Sequence, residues 1–478
     1  MTASATDDPS VRRPRRRRRS NTPTTTIVAR GPWAVTLVIA AVGLALPFML
    51  GNRTPDAMVA SMLLLVSGAF LAGLLAMWPG HSALPAPARG WLLFAAVFTA
   101  LVLLQVVPLP AIAAAFGPYP EALWSHPEFA PRHWSPDIGA TLRGWAVFVA
   151  LFTIAWIAYS LPASQRNVLW LLLVVGVLFQ AAYGVAAHAS GSETIFGIWE
   201  RNTPHAVHGS FSNYNLFAAY LALLWPLAIA VWWIRDMPLL GLRSKEVKIA
   251  GSLITSAVIG AALLGSTSRL GSSAGLVGMT IALVLWSRHR HVLRKTSVWP
   301  VYLALGGGLL AAAWYGLAPL VERLLATGTH DMRFEVLGLV RTELPLSWYL
   351  HGVGLGGFEA AFKQIQPGHM TFWLDYAHSD LLQWWIETGI VGAALLVAVI
   401  LAVIRAARLS TERIALYAGL GALALVGLGD FSWHIPATQV VLALYIGTLL
   451  RPAAGEARAR AYHERARTIK ARELTSVP

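Results

Sequence analysis

The chain has 478 residues, 56% of them hydrophobic and only 13% charged, with a formal net charge of +14 and a mean hydropathy of +0.58. A soluble protein of this length needs far more charge to cover its surface, so the composition excludes a water-soluble globular enzyme and predicts an all-α polytopic membrane protein. The absence of cysteine excludes disulfides, cysteine-ligated zinc and iron–sulfur clusters.

Taken in chain order, residues 1–32 form a basic tail that includes the run Arg15–Arg19. A membrane span follows so closely that attraction to anionic inner-leaflet lipids explains the run better than nucleic acid does. The first span is too long, and too far from the arginines, to be a removable signal peptide. Apolar runs able to cross about 30 Å of hydrocarbon recur near 33–51, 57–78, 91–116, 144–161, 167–188, 214–234, 248–265, 270–287, 297–319, 386–404, 414–429 and 435–450. This predicts twelve helices within a transmembrane domain at 33–451, followed by a second basic tail at 452–478. The weakest division is the polar break Ser266-Thr267-Ser268-Arg269, whose loss would fuse two spans and invert the second half. Charge supplies the check. With the N-terminus inside, the inner segments hold 28 of the 37 Lys+Arg, as the positive-inside rule requires. Both termini are therefore expected in the cytoplasm. Tryptophans such as Trp33, Trp78, Trp91, Trp286 and Trp299 flank spans and are expected to anchor the interface.

Three sizeable loops then face outward: 117–143, 189–213 and 320–385. The last is long enough to be functional. Within it Phe334, Leu337, Val340 and Leu344 recur at three- and four-residue spacing, predicting a short helix on the membrane surface. Gly352, Gly354 and Gly357 satisfy a dinucleotide-type G-x-G-x-x-G, but no parallel-strand unit surrounds them, so a glycine-rich reversal is expected instead.

Polar residues collect on the same side. Arg201, His208, Asn213 and Asn215 lead into the sixth span, Arg269 stands at the mouth of the seventh and eighth, and Arg333 opens the surface helix. His378 and Asp380 close the long loop. Arginine suits a phosphate through its bidentate, permanently charged fork, and histidine suits proton transfer near neutral pH. Simpler roles are open to each. Arg269 can snorkel to headgroups, Asn213 and Asn215 can cap a helix, and Asp380 and Glu387 can favour a helix start through the macrodipole. Gly389 and Gly392 are expected to serve close helix packing.

Together these residues resemble the O-antigen ligase and polymerase superfamily of bacterial envelope glycosyltransferases over roughly 201–395. Gly209–Ala218 (GSFSNYNLFA) is similar to the family's G-[ST]-F-x-N-x-N-x-[FY]-A block, and Ser268-Arg269 to its S-R-x-[AG] block. His378-Ser379 followed by Gly389 and Gly392 fits H-[NSQ]-x9-G-x-x-G, and 429–437 (GDFSWHIPA) resembles a late block. The resemblance implies a C-type glycosyltransferase-like fold in the bacterial inner membrane, with its active site facing the periplasm. It implies an inverting transfer, without metal or other cofactor, from an undecaprenyl-diphosphate-linked glycan. The acceptor would be lipid A–core for a ligase or a growing glycan for a polymerase. His378 would be the base, Arg269, Arg333 and Arg201 would hold the diphosphate, and His208, Asn213, Asn215 and Asp380 would support them. Membrane lipids are expected partners and nucleic acid is not. A secondary transporter is the rival class, but such proteins place polar sites near the bilayer midplane, whereas here the spans are nearly free of ionisable residues.

Overall fold

The structure, a computed structural model, describes residues 33–49, 55–78, 84, 87, 89–120, 130–201, 203–234, 236–238, 244–289, 332–370 and 374–452. The expected span at 297–319, residues 320–331 of the long loop, the tail at 1–32 and nearly all of the second tail lie outside the described residues.

Helices α1 (Trp33–Ala45), α2 (Pro55–Met77) and α3 (Arg89–Val106) open the chain. The run expected as one span over 91–116 is divided: Pro108 and Pro110 cannot donate to a helical ladder. The short α4 (Pro110–Phe116) therefore starts afresh, with proline at its first position. Then come α5 (Ile138–Ser160) and α6 (Ala163–Ala189). A two-stranded antiparallel ribbon follows, with β1 (Thr194–Ile195) pairing Thr194 to Glu200 of β2 (Trp199–Glu200). Helices α7 (Tyr214–Ala230), α8 (Lys245–Gly265) and α9 (Arg269–Arg288) follow. The polar break between α8 and α9 is a true reversal. Thr267 takes a left-handed φ of 56°, and Ser268 caps α9 by accepting the Gly271 N–H at 3.3 Å.

The long loop holds α10 (Met332–Glu343), α11 (Leu346–His351) and α12 (Phe358–Phe362). A helix is present where one was expected but ends before Pro345, and Val336 and Val340 on it, with Leu344 just beyond its end, are buried. The chain closes with α13 (Asp380–Arg405), α14 (Thr411–Val426), a 3-10 turn at Ser432–His434 and α15 (Pro436–Leu449).

Seven of the described helices are long and apolar enough to cross a membrane: α2, α3, α5, α6, α8, α9 and α13. Their outer faces carry exposed Leu63, Phe70, Leu93, Val175, Ile254 and Ile404, a dressing suited to lipid rather than water. The protein is thus an all-α chain of membrane-embedded character.

Helix α7 is the axis of the bundle. Every residue from Leu216 to Ala230 is buried, sheathed by α6, α8, α9 and α14. Lipid tails are as apolar as leucine, so close packing rather than water expulsion must hold such a helix. Small residues provide that closeness. A Cβ on Gly278 would stand 2.9 Å from the Ala418 carbonyl, and one on Gly419 would strike that of Leu223. Tryptophan also packs internally. Trp225, Trp232 and Trp233 donate to Ser256, Thr255 and Ser252. Trp286, expected at the interface, is 6% exposed and donates to the Thr411 carbonyl.

The alternating helices give the bundle two unlike ends. At one, Arg166 grips both oxygens of Glu412 at 2.6 and 3.2 Å while Trp170 adds a third donor at 2.7 Å. Arg413 there donates to the carbonyls of Ala406 and Leu449. The other end gathers the C-termini of α6, α8 and α14 and the N-termini of α7, α9, α13 and α15.

Candidate functional site

Local sequence fixes the start of α13. Ser379 caps it, accepting the Leu382 N–H, and the preceding His378 takes a left-handed φ of 51°. Few non-glycine residues adopt that conformation. His378 is half-buried, with its ring edge-on to Phe431 at 5.4 Å and 71°. Tyr376 stacks flat on the same Phe431 at 4.4 Å and 2°. Burial, reinforced by Asp375, Glu387 and Asp380, pushes the Tyr376 phenol well above its usual range, so it stays protonated.

The wall carrying Phe431 is the turn between α14 and α15, and it joins the separate blocks. Ser379 Oγ donates to the Gly427 carbonyl at 3.3 Å, and Asp380 N donates to that of Asp430 at 3.1 Å. From the other side, a Cβ on Gly429 would stand 3.2 Å from the Leu270 side chain, so Arg269, at the first position of α9, flanks the same turn. The turn also touches α7, which begins just after Asn213.

Asp380 does more than favour a helix start. Its side chain is fully buried, which for a carboxylate demands partners. Oδ2 accepts the Trp433 N–H at 3.0 Å and Oδ1 lies 2.8 Å from His434 Nδ1. Burial alone would lower the His434 pKa, but the hydrogen bond and charge of Asp380, with the charge of Glu387, outweigh it and raise the value. Tyr376 lies 5.3 Å from the His434 ring.

Two helical turns on, α13 breaks. Gly389 has φ 63° and ψ −161°, a region essentially reserved for glycine. The break frees the Ile386 and Glu387 carbonyls from their own ladder. The amides of Val353 and Gly354 take them at 2.8 and 3.0 Å, so these two acceptors are satisfied. The Glu387 side chain accepts from Gly356 N at 2.8 Å and Gln383 Nε2 at 3.0 Å. Gln105 of α3 receives Leu355 N at 3.0 Å. The glycine segment is therefore the expected reversal, with left-handed backbone at Gly352, Gly354 and Gly356. Gly389 serves a backbone crossing rather than helix-on-helix packing: a Cβ there would lie 2.5 Å from the His351 carbonyl carbon. Gly392 makes room for the Thr388 side chain of its own helix.

Arg201 and His208 form a separate, inward-turned unit. Arg201 is 8% exposed and its guanidinium donates to His208 Nε2 at 2.8 Å, Ser192 O at 2.7 Å, Ala206 O at 2.8 Å and Ala187 O at 3.4 Å. Burial holds the Arg201 pKa below its usual value. His208 is fully buried; that burial and then the Arg201 charge bring its pKa down to about 4, so it is neutral. Val207 N donates to the Gly265 carbonyl at 2.9 Å, tying this loop to the reversal before Arg269. Asn213 is the cap of α7, its side chain accepting the Asn215 N–H at 2.8 Å.

Arg333 stands in the first turn of α10; its side chain lies outside the described residues. That helix packs through Val336 and Val340 into the cluster containing Leu374, Ala377 and Ile386, directly before His378.

The structure thus brings His378, Asp380 and Arg269 around one turn, with the Arg333 helix beside them, and folds Arg201 and His208 into a loop clamp. His434, Phe431, Tyr376 and Gln383 were not singled out from sequence. The only signal for His434 was its place in the 429–437 block. No cluster of three His, Asp or Glu side chains suited to a metal occurs among the described residues. Comparison with family models, with curated proteins and with solved structures finds no match to this chain.

Proposed function

We propose that the chain is an inner-membrane glycosyltransferase that moves a glycan from an undecaprenyl-diphosphate donor to an acceptor hydroxyl at the outer face, acting as an O-antigen ligase on lipid A–core. The reading takes the bundle as twelve spans, with the basic end and both termini in the cytoplasm. The observation that carries it is the meeting of the motif blocks at one end of the bundle: the 427–434 turn touches Leu270 on one side and Ser379 on the other. The end opposite holds the Arg166–Glu412 pair and Arg413, in keeping with the basic side of a membrane protein.

The chemistry required is modest. Acceptor oxygen attacks the anomeric carbon, the bond to the diphosphate oxygen breaks with its electron pair, and the hydroxyl proton goes to an imidazole. Arg269 and Arg333 meet the charge that grows on the leaving diphosphate. Two imidazoles lie at this place, His378 against Phe431 and His434 against Tyr376, which stacks on the same Phe431 ring, and His378 is the one the sequence motif nominates.

A deletion strain tests the reading. Loss of polymer from lipid A–core, with long chains accumulating on undecaprenyl diphosphate, is expected of a ligase. Single repeats accumulating on the carrier or core would reassign the chain as a polymerase. Unchanged glycans would overturn both.

A further inference from the structure

The 3-10 turn at Ser432–His434 presents a carboxylate–imidazole pair that no sequence motif assigned. His434 Nδ1 lies 2.8 Å from Asp380 Oδ1, and the carboxylate is buried while the ring is about one-quarter exposed. Because the Trp433 N–H occupies Oδ2 at 3.0 Å, the carboxylate is held in place, and as an acceptor its Oδ1 takes the hydrogen bond that Nδ1–H donates. That fixes the ring's tautomer, with N–H at Nδ1 and the lone pair at Nε2. Among the described residues no hydrogen bond engages Nε2. A buried carboxylate that orients an imidazole, and stabilises the imidazolium once formed, is the arrangement by which proteins build a general base.

The pair sits where the reaction needs it. Tyr376 lies 5.3 Å from His434, and both Tyr376 and His378 rest on Phe431. Arg269 begins α9 beyond Gly429. The charged and titratable groups around the ring are Asp380 and Glu387 of α13, Tyr376 and His378 of the preceding loop, and Asp430 of the turn itself. Helix α7 brings only Tyr214 and Tyr220. The titratable groups of α14 are Glu412 and Arg413, at the opposite end, and Tyr417, which donates to Val403 O. Tyr445 of α15 donates to Leu223 O.

We propose that His434, oriented by Asp380, is the group that accepts the acceptor hydroxyl's proton, leaving His378 to contact the donor beside Arg269. This rests on the glycan-transfer reading. As the acceptor oxygen bonds to the anomeric carbon, its proton passes to Nε2; the diphosphate departs with the electron pair, and the imidazolium then yields its proton to water. Asp380 acts through His434 and is a positioning residue.

The test uses the full chain in proteoliposomes, with lipid-linked glycan extracted from a strain lacking it as donor and lipid A–core as acceptor. His434→Gln should lower kcat by about 100-fold or more with little change in the donor KM. Asp380→Asn should lower kcat and move the acidic limb of the pH–rate profile downward, since it removes the carboxylate that favours the imidazolium. Should Asp380→Asn fail to fold, the pH dependence of His434 acylation by diethyl pyrocarbonate in the wild-type protein stands in, and its midpoint should lie above the ordinary histidine value. Transfer by the wild type that survives His434→Gln within threefold, with the same acidic limb, overturns this proposal and leaves the transferase reading intact. A wild type that transfers nothing at any pH overturns the transferase reading itself.

Discussion

Only the neutral form of His208 can accept the Arg201 Nε–H, because an imidazolium has no lone pair to offer. Its pKa of about 4 lies below the ordinary 6.5, so between those values the unfolded chain takes a proton that the folded chain refuses. The stabilisation is complete above about pH 6.5 and is lost as the pH falls toward 4, a difference on the order of 3 kcal/mol. Melting of wild type and His208→Gln in detergent should therefore diverge at pH 7 and converge near pH 4; parallel curves would contradict the clamp. Arg269 and His378 carry the chemical expectation at this scale. His378→Ala, folded, should lower transfer at least about tenfold through loss of a donor contact. Arg269→Lys keeps the charge but loses the fork, and should lower transfer at least about tenfold. Full activity in the first would remove His378 from the site, and a silent second substitution would return Arg269 to lipid anchoring.

Among the elements, the break in α13 is the one whose purpose the sequence hid. A G-x-x-G pair in an apolar helix reads as a packing face, and nothing local says that the first glycine interrupts the ladder. The cause lies in residues 351–356, whose amides need the carbonyls that the break releases. Gly389→Ala should therefore cost about 1–3 kcal/mol for the backbone region alone, with more for the collision at the His351 carbonyl carbon. Transfer should fall with it, because the same break holds Glu387 against Gly356. A variant that melts with the wild type would refute this account of the kink. Elements whose signal is periodic or compositional were legible from sequence: the seven long apolar helices, the reversal at 266–269, the loop helix and the glycine turn. The division of 91–116 was written in Pro108 and Pro110 and could have been read. The union of Asp380 with His434 could not, since it joins residues 54 positions apart by a geometry that hydropathy does not encode. The inward turn of Arg201 onto carbonyls was not legible either, because an arginine in a loop reads the same whether it faces solvent or carbonyls.

At the scale of the whole molecule, the bundle has one end that gathers the motif blocks and an opposite end that holds Arg166, Glu412 and Arg413. Its membrane orientation has a direct probe, because the chain has no cysteine and every introduced thiol reports alone. Ser192→Cys in the ribbon loop should react with an impermeant maleimide from outside intact spheroplasts. Thr411→Cys at the start of α14 should react only after permeabilisation. The reverse pattern would invert the topology and put the candidate site in the cytoplasm. The central claim is the proposed glycan transfer at the end that gathers the motif blocks. Its most direct measurement follows radiolabelled glycan on undecaprenyl diphosphate in proteoliposomes holding only this protein and an acceptor. The account predicts that label leaves the lipid carrier and appears covalently on the acceptor, and that His378→Ala and His434→Gln each suppress this. Label that stays on the carrier, with or without uptake of a free solute into the vesicles, would contradict it.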